Sequence, residues 1–97
     1  MALRVELVQE AAEDLLTAAS FYEEQRAGLA RRFLAAVERV MMVTAKQPLS
    51  GAPLGGAIRR HLVPGFPYAI IYEAHHESVR VLAIAHLRRH PGFWVDR

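Results

Sequence analysis

The spacing of the apolar residues changes at Pro48, and no other feature limits the fold as much. Before Pro48 apolar side chains recur every three to four residues; after it they alternate. A period of about 3.6 residues marks an amphipathic helix, and a period of about two marks a half-buried strand. A chain of 97 residues that divides itself this way is an α+β domain, with helices laid on one face of a sheet. One short exception opens the chain. Leu3, Val5 and Leu7 alternate with Arg4 and Glu6, so a strand precedes the helices.

The first helical stretch carries Ala11, Leu15, Ala18 and Tyr22 on one stripe, with Leu16, Ala19 and Glu23 beside it. Glu10, Glu13 and Asp14 suit the positive end of its dipole. It is expected to end near Arg26–Gly28, where glycine can turn left-handed. The second stretch keeps its period through Ala30, Phe33, Val37, Val40, Met41 and Thr44. Lys46 suits its C-terminal end and Pro48 stops it, so the pair is an αα-hairpin. Leu49–Gly56 is Gly-rich but lacks the Gly-Lys-Ser/Thr ending of a phosphate-binding loop, and reads as a plain loop.

Three strand patterns follow. Ala57–Val63 sets Ile58, Arg60 and Leu62 against Arg59, His61 and Val63. Tyr68–Glu73 is rich in strand formers, and Ser78–Ala85 places Val79, Val81, Ala83 and Ala85 on one face. Short links between them imply antiparallel hairpins. The expected order is β-α-α-β-β-β: a helical hairpin packed on one face of a small, mostly antiparallel sheet, in one domain spanning residues 1–97. The other face stays partly open unless something covers it.

Composition excludes several chemistries. There is no cysteine, which removes disulfides, thiolate metal sites and thiol nucleophiles. No apolar run approaches the roughly 20 residues of a membrane span, and no signal segment opens the chain. A cytoplasmic protein is expected. The net charge is only +2, but it is sorted. Up to Pro48, six basic side chains meet seven acids; beyond it, six arginines meet three acids and all five histidines. Such a half suits phosphate or carboxylate partners, unless arginine simply replaces lysine for genomic reasons. Lys46 is the one lysine.

The residues also resemble a known family. The segments are Ala12-x-Asp14-Leu15, Phe21-Tyr22-Glu23, Gly28-Leu29-Ala30-x-x-Phe33, Pro48-x-x-Gly51 and Ile58-Arg59-Arg60. Phe66-Pro67-Tyr68-x-Ile70-x-Tyr72 and Ala83-Ile84-Ala85-His86-x-Arg88-Arg89-x-Pro91-x-x-Trp94 complete the set. In this order they resemble the RelE/ParE superfamily of bacterial type II toxins, and within it the ParE-like, plasmid-stabilisation branch. The resemblance implies a toxin held in check by a cognate ParD-like antitoxin. ParE-like members are associated with poisoning DNA gyrase, RelE-like members with cutting mRNA on the ribosome. A third reading is an inactive relative that only binds antitoxin. The assemblies implied are a homodimer or a toxin–antitoxin heterotetramer, with no membrane partner.

The candidate target-binding residues are Arg59, Arg60, Tyr68, His86, Arg88, Arg89 and Trp94. Arginine offers a fixed fork of donors for phosphate or carboxylate, although exposed arginines often only solvate a surface. Arg59 and Arg60 point to opposite faces, so at most one joins any patch. His86 reads either as an acid–base group or as a half-buried residue ordering the strand end by a hydrogen bond. Tyr68 and Tyr72 share a face with Ile70, where core packing is the default. Phe93 and Trp94 either stack on a base or pack the tail onto the sheet.

A nuclease would draw on Arg60, His86, Arg88 and Arg89. Attack by a 2′-hydroxyl needs a base, an acid and cationic cover. The resemblance to the nucleases implies a tyrosine where Trp94 stands and an arginine where Ala69 stands. It also implies a lysine-rich helix that this chain lacks. These departures favour a toxin that acts by binding. No cofactor is implied. A metal site is not expected either: the spacing of His86 and His90 suits an ion only on a helix, and His75-His76 sit in a turn.

Overall fold

Strand–helix order follows the periodicity closely. The computed structural model describes residues 2–89 and 92–95. Its elements are β1 (Arg4–Leu7), α1 (Gln9–Gln25), α2 (Leu29–Lys46), β2 (Ala52–Gly55), β3 (Ile58–Leu62), β4 (Tyr68–Ala74) and β5 (Ser78–His86). They form one mixed five-stranded sheet of order β1-β5-β4-β3-β2, with β1 parallel to β5 and the other pairs antiparallel. The parallel pair needs a crossover, and the helical hairpin supplies it.

Two expectations are corrected. The Gly-rich stretch contains an edge strand, β2, where a loop was expected. It is exposed at all four positions and is held by its pairing with β3, so no burial pattern marks it. The second correction concerns β5. The register slips where Ile71 pairs with Ala83 but Tyr72 pairs with Val81, which leaves Leu82 as an extra residue. This bulge turns the alternation over. Val79 and Val81 join the core beneath the helices with Ile84, whereas Ala83 and Ala85 face the opposite side. Asp14 of α1 fits the bulge: its carboxylate accepts the Ile84 N–H at 3.0 Å.

The main core lies between hairpin and sheet. Ala11, Ala18 and Ala19 of α1, with Phe33, Ala36, Val37 and Val40 of α2, pack on Ile70, Tyr72, Val79, Val81 and Ile84. The alanines keep α1 close to its neighbours, and dispersion contacts accumulate at that distance. At the far end of the hairpin, Tyr22, Phe33, Phe66 and Tyr68 form an aromatic cluster. Gly28 takes a φ of +88° and is the N-cap of α2 as well as the turn out of α1. It has no side chain to cap with, so the Glu23 carboxylate accepts the N–H groups of Gly28 and Ala30 at 3.1 and 3.2 Å. That contact gives a physical role to the glutamate of Phe21-Tyr22-Glu23.

The segment leaving α2 is pinned to the sheet by Tyr72. Its buried hydroxyl donates to the Pro48 carbonyl at 2.7 Å and accepts the Gly51 N–H at 3.0 Å. His61 stacks on the Tyr72 ring, the planes 8° apart. Its Nε2 lies 3.0 Å from the Ser50 hydroxyl, which donates to the Gln47 carbonyl. Burial holds the His61 imidazole below its ordinary range. Below about pH 6.5 the unfolded chain therefore takes up a proton that the folded chain resists. This part of the stability is complete above that pH and fades as the pH falls through it. His61→Phe should flatten the fall in stability between about pH 6.5 and 5, measured by denaturant unfolding at several pH values. An unchanged slope would remove His61 as the source.

Candidate functional site

The face of the sheet turned away from the helices is not bare. Ala69 and Ile71 of β4 and Ala83 and Ala85 of β5 form a second, smaller buried cluster. Phe93 and Trp94 pack against it, which is the tail-packing alternative for these two rings. Ala69 lies opposite Ala85 across the ladder. Two methyl groups facing each other leave a hollow that larger side chains would fill.

That hollow opens into a cavity of about 470 Å³. Ala69, Ile71 and Ala85 make its floor, and Phe93, Trp94 and Val95 stand over it. Leu54, Arg60, His86, Leu87 and Arg89 complete the wall. The Arg89 guanidinium carbon sits 3.8 Å from the centre of the Phe93 ring, a cation–π contact that orients it. Arg60 reaches the cavity because its residue position puts it on this face of β3. The arrangement is an apolar slot with cationic and imidazole groups along its wall. It suits an anionic group carried beside an apolar one.

The structure thus brings together Arg60, His86, Arg89 and Trp94. Three other candidates sit elsewhere. Arg59 is half-buried on the opposite face and donates from Nη1 to the Gly51 carbonyl at 2.9 Å. Tyr68 belongs to the aromatic cluster, and its hydroxyl is held above the ordinary tyrosine range by burial and then by the negative charge of Asp14. Arg88 is exposed beside the cavity; its N–H donates to His86 Nδ1 at 3.0 Å. That bond leaves Nε2 to carry the proton of a neutral His86. The His86 ring also meets Tyr68 edge-on at 5.1 Å. His90 and Pro91 lie outside the described residues.

Sequence reasoning did not pick out the floor. Ala69 and Ala85 draw attention only once the β4–β5 register is known, and Leu54 was hidden in the stretch read as a loop. Among the described residues no three His, Asp or Glu side chains converge on a metal position. No helix among them is long and apolar enough to cross a membrane.

Comparison with known proteins agrees with this architecture. A search of curated proteins returns no significant relative. Among solved structures, the chain is similar to one described as "Chromosomal ParDE TA system from P. aeruginosa", at a TM-score of 0.76 and 13% identity. The match covers 88% of this chain and 96% of that one, and at this identity it speaks for the fold. The profile of a family described as "ParE toxin of type II toxin-antitoxin system, parDE" matches residues 5–91. With nearly its whole length inside that match, the chain belongs to the family of ParE toxins of type II toxin–antitoxin systems.

Proposed function

We propose that this toxin acts by binding rather than by cleaving RNA, that its target is DNA gyrase, and that a cognate ParD-like antitoxin neutralises it in the cytoplasm. The cavity beneath the C-terminal residues carries this reading. Arg60 and Arg89 stand over a floor of Ala69, Ile71 and Ala85 with Trp94 above. Ala69 and Trp94 occupy the two places where the nuclease reading needs arginine and tyrosine, and neither can move a proton. The target contacts are Arg60, His86, Arg89 and Trp94, with Arg88 at the exposed rim.

The antitoxin has apolar surface to cover on the other side. Between α2 and β3 runs a groove of about 280 Å³ lined by Ala36, Val40, Val43, His61 and Leu62, with Arg39 beside them. It suits an amphipathic segment that carries acids next to its apolar residues.

Purified protein should inhibit gyrase supercoiling and, when expressed without antitoxin, induce a DNA-damage response. Arg60→Glu combined with Arg89→Glu should abolish both while leaving the melting temperature nearly unchanged. Arg88→Glu alone should weaken them less. Supercoiling left untouched, with codon-positioned cuts in translated mRNA by primer extension, would replace this reading with the endonuclease one. Growth unaffected by the free protein would leave an antitoxin-binding relative.

A further inference from the structure

After the pairing of His86 with Tyr68 the chain leaves β5 in a turn. The three N–H groups that follow all have partners. Leu87 donates to the Pro67 carbonyl at 2.9 Å, which ties the turn to the start of β4. Arg88 donates to His86 Nδ1 at 3.0 Å, and Arg89 donates to the His86 carbonyl at 2.9 Å. Both arginines are therefore held by their backbone to His86. The Arg89 bond closes a β-turn and needs no particular side chain. The Arg88 bond does. Asn and Asp favour the first place of such turns because their side chains accept the N–H two residues on. Here an imidazole Nδ1 takes that role.

The ring is itself held in place. It is half-buried and meets Tyr68 edge-on at 5.1 Å. A histidine set up as a general base donates from Nδ1 to a carboxylate or carbonyl and keeps Nε2 free of a proton. His86 has the reverse arrangement. Its Nδ1 accepts, so the proton of the neutral ring lies on Nε2. Among the described residues no carboxylate lines the cavity wall beside it.

We propose that His86 is a positioning residue: through Nδ1 it fixes the turn that sends the Arg89 side chain into the cavity and leaves the Arg88 side chain at its rim. The role rests on the reading that these arginines meet the target. The two are adjacent in sequence but placed differently. The Arg89 guanidinium carbon lies 3.8 Å from the centre of the Phe93 ring, whereas Arg88 does not line the cavity. Without the Nδ1 bond the turn is free to open. A target must then order two long side chains as it binds, and binding weakens.

His86 also lines the cavity, and the two amide isosteres of histidine separate positioning from direct contact. The carbonyl oxygen of asparagine stands where Nδ1 stands; the amide nitrogen of glutamine reaches where Nε2 stands. His86→Asn therefore keeps the acceptor of the turn and loses the donor at the cavity, and His86→Gln does the opposite. In gyrase supercoiling assays His86→Gln should inhibit about fivefold less strongly than His86→Asn, and His86→Ala no better than His86→Gln. Growth arrest without antitoxin should give the same ranking, whichever target is hit. Nitrogen-15 spectra of the free native chain need no target at all. They should show a coupling across the hydrogen bond between the Arg88 amide nitrogen and Nδ1, with the ring proton on Nε2. Melting curves near the native one would show that each variant folds. His86→Gln ranking above His86→Asn would overturn the proposal in favour of a direct contact. Equal losses in the two variants would overturn it, and so would a missing coupling or a neutral ring with its proton on Nδ1. A native chain that impairs neither supercoiling nor growth would remove the target reading and this role with it, even where the coupling is seen, so the two failures are distinct.

Discussion

Phe33→Ala should lower the unfolding free energy by about 3–5 kcal/mol. Phe33 is fully buried, and its ring lies 5.1 Å from Tyr22, 5.2 Å from Phe66 and 5.2 Å from Tyr68. These rings come from both helices, from the turn after β3 and from β4, so one side chain joins four parts of the chain. Truncation loses the transfer energy of the ring and leaves a hole that three rigid neighbours cannot fill. A domain of this size has roughly 5–15 kcal/mol in all, so the variant should be close to unfolding at growth temperature. Denaturant titration followed by circular dichroism checks this. Phe33→Leu keeps most of the volume and should cost clearly less. Equal losses for the two variants would mean that ring packing is not what joins hairpin to sheet.

Gly51→Ala should be nearly as damaging, and for a different reason. Nothing in the backbone conformation demands glycine there; the space does. An added methyl group would overlap the Tyr72 hydroxyl and lie 2.9 Å from the Arg60 carbonyl. Overpacking of this kind costs about 1–3 kcal/mol. It also displaces the hydroxyl that serves Gly51 and Pro48. Tyr72→Phe deletes that hydroxyl alone and should cost about 1–3 kcal/mol by leaving a buried donor and a carbonyl unpaired. Because both changes break the same two bonds, the double variant should cost less than the sum of the singles. Strict additivity would separate the glycine from the tyrosine. The pair accounts physically for Pro48-x-x-Gly51 and for the tyrosine that ends Phe66-Pro67-Tyr68-x-Ile70-x-Tyr72.

Elements with a buried face were legible in the amino-acid order. The helices and the strands β1 and β3 emerge from spacing, because each hides one side from water, whereas β4 is covered on both faces and emerges from its strand-forming residues. β2 hides nothing: its side chains are exposed, and only backbone pairing with β3 defines it. The bulge at Leu82 left no trace for a related reason. The run from Val81 to Ala85 is apolar at every position, since Phe93 and Trp94 cover the side away from the helices. Inserting one residue into such a run changes no polarity pattern. Asp14 was read as an acid suited to a helix dipole, yet its carboxylate meets the Ile84 N–H, a contact no local rule foresees. Of the candidate site, the charged wall was legible and the floor was not. Arg60, His86, Arg89 and Trp94 stand out by residue type. Ala69 and Ala85 matter because they are small and opposite each other, and that depends on register.

The parallel pairing of β1 with β5 sets the order in which this protein can be completed. Arg4 lies opposite Ser78, so the first strand made waits for the last. A ribosome adds roughly 5–20 residues per second, and the helical hairpin emerges whole during that wait. The hairpin can form from local contacts, but its apolar stripe meets only Ile70 and Tyr72 of the sheet core until Val79, Val81 and Ile84 have been made. A nascent chain stopped short of β5 holds both helices and still lacks the middle of its core. The finished fold therefore belongs only to chains translated through β5.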